Sequence, residues 1–167
     1  MATAKTLEEF AEALGILTGD PLFRKMKSAW FRANRTRVPA EITKTMSSGT
    51  SPVAGKGKYK KYSATYRAAI ANRRYSKYRK SVTPVNLKLS GAMHKSIEMV
   101  ETERGIAAVS DSETFVYHNW GTKNMPERRI LPAGNGFFRK EINVLIERSL
   151  TEVMDKTIDV IVRRYDD

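Results

Sequence analysis

The sequence contains no cysteine, which removes disulfides, thiolate metal sites and thiol nucleophiles from consideration. Histidine occurs only twice, at His94 and His118, and the two are not spaced as metal ligands on one helix face would be. Serine is plentiful, but no Gly-x-Ser-x-Gly elbow occurs. The glycine and lysine of GKGKYK lack the spacing of a phosphate loop. The carboxylates between Glu98 and Asp111 have the spacing of ordinary hairpin charges rather than of an acid–base pair. His118 beside Asn119 and Trp120 has the chemistry of a general base, but a lone histidine is more often a hydrogen-bonded structural group. No uninterrupted apolar stretch approaches the ~18 residues of a membrane span. The opening MATAKTLEEFAEALG is acidic where a secretory leader needs a basic start. A soluble, non-secreted, non-enzymatic chain without metal or cofactor is therefore expected.

Acid is also missing from one particular place. From Ile42 to Ile97 there are 13 Lys or Arg residues and no Asp or Glu, whereas the rest of the chain carries 17 basic and 18 acidic residues. One segment thus accounts for the whole net charge of +12. Charge concentrated in this way predicts a basic loop or arm, residues 47–82, inserted in a nearly neutral single domain of 167 residues.

Helical signals stand at both ends. Thr6 to Glu9 forms a potential capping box before a short helix over Leu7 to Leu14. Asp20-Pro21 is a start signal, since proline at the first helical position loses no hydrogen bond. Phe23, Met26 and Trp30 then share one face, until Val38-Pro39 ends or kinks the helix and a further turn or two runs to about Met46. SSGTSPVAGKGKYKKYS reads as an exposed loop, and helical character returns through Tyr66 and Ile70. Val85/Leu87/Leu89 alternate as in a strand, Gly91 to Lys95 make a turn of helix, and Ser96 to Thr102 pair with IAAVSD as a hairpin. Ser112 to Trp120 is compatible with a short helix or a strand, and Arg129-Ile130-Leu131 with a brief strand. Phe138, Ile142, Leu145, Ile146, Ser149, Val153, Ile158 and Ile161 mark a final helix through about Arg164, too long to be covered by a small sheet. The predicted class is α+β: a small, mostly antiparallel sheet packed by long N- and C-terminal helices.

The basic segment places Lys56, Lys58, Lys60, Lys61, Arg67, Arg73, Arg74, Lys77, Arg79 and Lys80 among Tyr59, Tyr62, Tyr66, Tyr75 and Tyr78. Three readings fit. Cations release counterions from phosphates and tyrosines stack on bases, which describes non-sequence-specific nucleic-acid binding. The tyrosines could instead be packing anchors under a solvated loop. The charges could also meet an acidic protein surface and set docking and register. Lysines predominate, and lysine lacks the guanidinium fork that reads bases.

Several ordered motifs narrow the choice. Leu87 to Ser96 spells a Leu-x-Leu-Ser-Gly-x-Met-x-x-Ser turn containing Leu89, Gly91 and Ser96. His118 to Thr122 is a His-x-x-Gly-Thr turn, and Met125 to Pro132 reads Met-Pro-x-Arg-x-x-Leu-Pro before the last helix. Tyr62 to Tyr66 adds a Tyr-Ser-x-x-Tyr element. Taken together over about Ser51 to Leu150, this pattern resembles the tail-completion or head–tail joining (neck) proteins of long-tailed bacteriophages, also labelled phage virion morphogenesis or minor tail proteins. Asn119-Trp120 departs from the usual form of the turn. The resemblance implies a structural virion protein made in the host cytoplasm and located at the neck, where identical subunits form a ring, most simply a hexamer or dodecamer. Its neighbours would be a portal, an adaptor or head-closure protein, and a tail terminator or tail tube, with genomic DNA passing through the channel. Residue chemistry adds detail. Gly121 supplies a backbone angle closed to other residues, Thr122 closes the turn, and Pro126 and Pro132 stiffen the connector. Arg128 and Arg129 point in opposite directions in an extended chain, one toward its own fold and one toward a partner. The arm from Gly55 to Lys80 is expected to leave the body and lie on a neighbour.

Overall fold

The computed structural model describes residues 21–78, 80–88, 90–102, 105–133 and 136–165. The proposed cap at Thr6–Glu9, the helix over Leu7 to Leu14 and the Asp20 cap lie outside the described residues.

Helix α1, Pro21–Asn34, starts at the expected proline and buries Phe23 and Met26. It does not end at Val38-Pro39. The break falls earlier, at Arg35 and Thr36, and α2 runs over Arg37–Ser47 with Pro39 in its first turn. Amides of a first turn have no intrahelical acceptor, so proline costs nothing there. Val38, Ile42 and Met46 follow at intervals of four, all fully buried, and form the stripe that α2 turns to the core.

The only sheet among the described residues is an antiparallel hairpin of β1, Ile97–Thr102, and β2, Gly105–Ser110, in register from Ile97 opposite Ser110 to Thr102 opposite Gly105. Ile97 and Met99 face the core while Glu98 between them faces out, the period-two pattern of a half-covered strand, which stops before the exposed Glu101 and Thr102. The molecule is therefore α+β with a minimal sheet. Most of its core comes from helices and from irregular segments.

Two expected strands are absent. Leu87 sits in left-handed backbone at φ 53°, where an extended residue cannot be. Asn86 diverts the neighbouring polar groups: its side-chain oxygen accepts the Lys88 amide and its carbonyl meets Nε2 of His94. Arg129-Ile130-Leu131 is extended but has no ladder partner. Its amides go instead to one side chain of α5, Glu113–Trp120, where Asn119 Oδ1 accepts from Ile130 N at 2.8 Å and from Leu131 N at 3.0 Å.

Helix α6, Lys140–Tyr165, is 26 residues long, or ~39 Å. Ile142 joins the main core with Val38, Ile42, Tyr59, Phe115 and Ile130. Farther along, α6 packs on α1 through a small cluster around Met26 and Val153. A buried polar node locks that pair. Ser149 Oγ accepts from Trp30 Nε1 (3.0 Å) and Asn34 Nδ2 (2.9 Å) and donates to the Ile146 carbonyl (2.8 Å). Asn34 Nδ2 also donates to the Trp30 carbonyl at 2.9 Å, and the Ser149 proton can go alternatively to Asn34 Oδ1 at 3.1 Å, so the node ties the two helices together through paired polar groups. Beyond Val153 the apolar stripe runs into solvent, with Ile158 exposed.

Candidate functional site

The turn after α5 organises the surface of interest. Gly121 has φ 74° and ψ 175°, backbone that is essentially closed to side chains. A Cβ there would lie 2.8 Å from the Glu127 nitrogen and 2.9 Å from the Met125 carbonyl oxygen. Thr122 and Met125 close a small loop by reciprocal backbone bonds of 2.8 and 3.2 Å. The chain then returns beside α5, where the Arg128 amide donates to the His118 carbonyl at 2.7 Å. The connector is consequently a fixed shelf, held at both ends by α5.

Its two arginines part ways. Arg128 turns inward and is only 3% exposed, with Nε and Nη2 donating to the carbonyls of Lys60 and Lys61 at 3.3 Å. Arg129 instead lies over the ring of Trp120, 3.9 Å from its centroid, and pairs with Glu127 at 3.0 Å; its side chain is largely covered, and its Nη1 is buried with no partner among the described residues. Glu127 also takes Lys56 at 3.1 Å. These side-chain hydrogen bonds, from Arg129 first and then Lys56, hold its carboxyl below the usual range.

Through these contacts the shelf meets the basic segment, which is not a free arm. Ser51, Pro52 and Val53 are buried; Ser51 Oγ donates to the Arg129 carbonyl and Val53 bridges Phe138. Tyr59, Tyr62 and Ile70 are buried as well. The expectation of an exposed loop leaving the body is thus corrected over Ser51 to Tyr62: Tyr59 and Tyr62 are anchors and the lysines between them are what solvent sees, whereas Tyr78 farther along is exposed. Helix α3, Ala64–Ala71, carries the segment onward with Ser63 as its cap, and a 3-10 turn over Ser76–Tyr78 follows. Tyr66 lies edge-on to Tyr62 at 5.0 Å and against Tyr75 at 5.3 Å, so these rings pack on one another.

Where shelf and segment meet, a cleft of about 410 Å³ opens. Lys80 reaches over it and donates to Tyr62 Oη (2.7 Å), Asn86 Oδ1 (2.7 Å) and the Lys88 carbonyl (2.6 Å). Burial lowers its pKa to about 8. His118 is held neutral, lowered to about 4 by burial and then by the nearby charges of Arg128 and Lys80. Burial likewise lowers Arg128 and raises Tyr62.

The remaining residues singled out in the sequence fall around this core. Lys58, Lys60, Lys61, Arg73, Arg74 and Lys77 are exposed on the basic segment. Gly91, left-handed at φ 89°, starts helix α4, Ala92–Lys95, and Ser96 Oγ donates to the Met93 carbonyl before β1. Pro126 lines the cleft and Pro132 is half-buried at the end of the shelf. Arg79 and Leu89 lie outside the described residues. Next to the shelf, Val116, Tyr117 and Trp120 leave half their surface in solvent on the outer side of α5. Sequence reasoning missed Asn119, Glu127 and Asn86. Only Asn119 gave a signal, as the departure within the turn motif.

Among the described residues no group of three or more His, Asp or Glu is placed to hold a metal ion. No family model, curated protein or solved structure matches the chain.

Proposed function

We propose that this chain is a structural subunit of the bacteriophage neck. Copies of it form a ring, hexameric or dodecameric, that completes the tail and joins it to the head while DNA passes through. It catalyses nothing and acts through contacts with its own kind and with portal, adaptor or tail-tube neighbours.

One observation carries this reading beside the motif resemblance. The shelf braces two unlike surfaces side by side, a carboxylate-poor basic face and the apolar, aromatic outer side of α5. Ring closure needs head-to-tail contacts between two different patches of each subunit. A brace that is rigid before contact limits the ordering cost of docking. The lysines would face an acidic neighbour rather than the channel, since a strongly basic lumen would grip the DNA that must slide through it.

Reversing Lys58, Lys60 and Lys61 to glutamate tests the reading. Their side chains are exposed, so the variant is expected to fold normally and to block particle assembly; infectious particles at normal titre would refute it. A non-sequence-specific nucleic-acid module is the competing reading, and the run of exposed lysines favours it. Its signature is tight binding to random duplex with a steep fall in affinity as salt rises. Against it, the rings of Tyr62, Tyr66 and Tyr75 are engaged with one another.

A further inference from the structure

The cleft between shelf and basic segment contains positive charge without its complement. Lys80, Lys88 and Arg128 line it, and among the described residues no carboxylate does. Arg128 is almost wholly buried, yet neither it nor Lys80 forms an ion pair among the described residues. A buried cation is costly unless an anion meets it. Carbonyl, amide and hydroxyl oxygens fix the two groups, and the face of the Tyr62 ring lies 4.9 Å from Lys80 Nζ and 5.6 Å from the Arg128 guanidinium, but none of these carries a negative charge to neutralise them. Two of the five N–H groups of Arg128 are spent on the carbonyls of Lys60 and Lys61, which leaves three. Beside them, Nδ1 of His118 is buried with no hydrogen-bond partner among the described residues.

We propose that this cleft receives a carboxylate from another polypeptide, an acidic side chain set among apolar neighbours, with Arg128 and Lys80 as its counter-charges. Its size suits an inserted side chain, within the range of small-ligand pockets. Leu87, Met125 and Pro126 supply apolar wall for the flanking residues. Tyr62 and Tyr66 form the remaining wall with their rings already packed together, an arrangement that does not offer a free face to a base. That the carboxylate belongs to a neighbouring subunit of the particle rests on the assembly reading above; the affinity of the cleft for it does not.

The test uses the full chain and a capped tripeptide, acetyl-Leu-Glu-Leu-amide, with its glutamine counterpart as control. Inorganic phosphate and a short oligothymidylate are titrated in parallel, with imidazole and guanidinium resonances as the readout. The glutamate peptide is expected to bind, to move the Arg128 side-chain signal and to raise the pKa of His118 from its low value, because a carboxylate offsets the two cations beside it. Arg128→Gln should weaken binding by ~10-fold or more, the scale of a lost charge-assisted hydrogen bond. Lys80→Met serves as a second variant should Arg128→Gln fail to fold. Affinity should fall as pH rises past 8, where Lys80 loses its proton while Arg128 keeps its charge; Lys88, Tyr62, Tyr66 and His118 are the other titratable groups facing the cleft among the described residues. Equal binding of the two peptides, no binding of either, or binding of phosphate or oligothymidylate without the peptide would each overturn the proposal. Peptide binding by a chain that never forms rings would leave the cleft assignment standing and remove the neck reading; rings without peptide binding would do the reverse.

Discussion

Replacing Asn119 with alanine tests the construction of the shelf at its narrowest point. Among the described residues the Asn119 side-chain oxygen is the one acceptor for two consecutive buried amides, those of Ile130 and Leu131, at 2.8 and 3.0 Å. Truncation leaves both donors unsatisfied, at ~1–3 kcal/mol each, and since the two are neighbours their costs will not simply add. A loss of ~2–5 kcal/mol is therefore expected, a large part of the ~5–15 kcal/mol that holds a domain together. Part of the loss is local. Ile130 is fully buried in the main core, where its side chain contributes ~1.5–3 kcal/mol, and its position depends on that amide. Urea unfolding should show a midpoint lowered by ~1–2 M, given a slope of ~1–3 kcal/mol/M. Hydrogen exchange should show the amides of Ile130 and Leu131 losing protection ahead of those of Val100 and Ala107 in the hairpin. Asn124→Ala, an exposed asparagine on the same connector, serves as the control and should stay within ~0.5 kcal/mol of the parent. An Asn119→Ala midpoint within 0.3 M (roughly the control's own range), with both amides still protected, would show that Asn119 does not hold the shelf.

Three further outcomes follow from the same geometry. Because His118 titrates near 4 when folded and near 6.5 when unfolded, the unfolded chain binds more protons between those values. Its contribution, ~1–3 kcal/mol after allowing for partial exposure, should be complete above pH 6.5 and lost as pH falls toward 4; urea midpoints for the parent should drop across that window more than for His118→Gln. Arg73 occupies left-handed backbone at φ 59° just past the end of α3, with the Arg73 and Arg74 amides capping the carbonyls of Ile70 and Ala69, so Arg73→Gly should raise stability by ~0.5–1 kcal/mol in thermal unfolding; destabilisation would contradict that cap. Gly121→Ala should cost ~2–4 kcal/mol by chemical denaturation, since strain and a backbone clash coincide there, and a neutral effect would mean the turn is built differently.

The parts of the fold that local chemistry determines were legible in the sequence. Pro21 starts α1, the spacing of Ile142, Ser149 and Val153 gives the buried stripe of α6, and the run Ser96 to Thr102 followed by IAAVSD gives the hairpin. What was illegible depends on partners distant along the chain. An extended Arg129-Ile130-Leu131 looks the same whether its amides meet a strand or the side chain of Asn119, which lies 11 and 12 residues away from the two donors. Val85 and Leu87 alternate as a strand would, but Asn86 captures the neighbouring groups and Leu87 turns left-handed. Tyrosines among lysines have one composition whether they anchor or stack; here burial of Tyr59 and Tyr62 decides for anchoring. The site itself was half visible. Its charges and connector were named from the sequence, whereas the cleft arises only because Arg128 folds inward onto Lys60 and Lys61.

The central claim, that copies of this chain complete one another around an axis, is tested most directly by the mass of the purified protein in solution over a range of concentrations, read by sedimentation or native mass spectrometry. A closed species of six or twelve copies, displaced toward monomer by reversing Lys58, Lys60 and Lys61, is the predicted result. A single folded copy at every concentration, unchanged by those reversals, would contradict it.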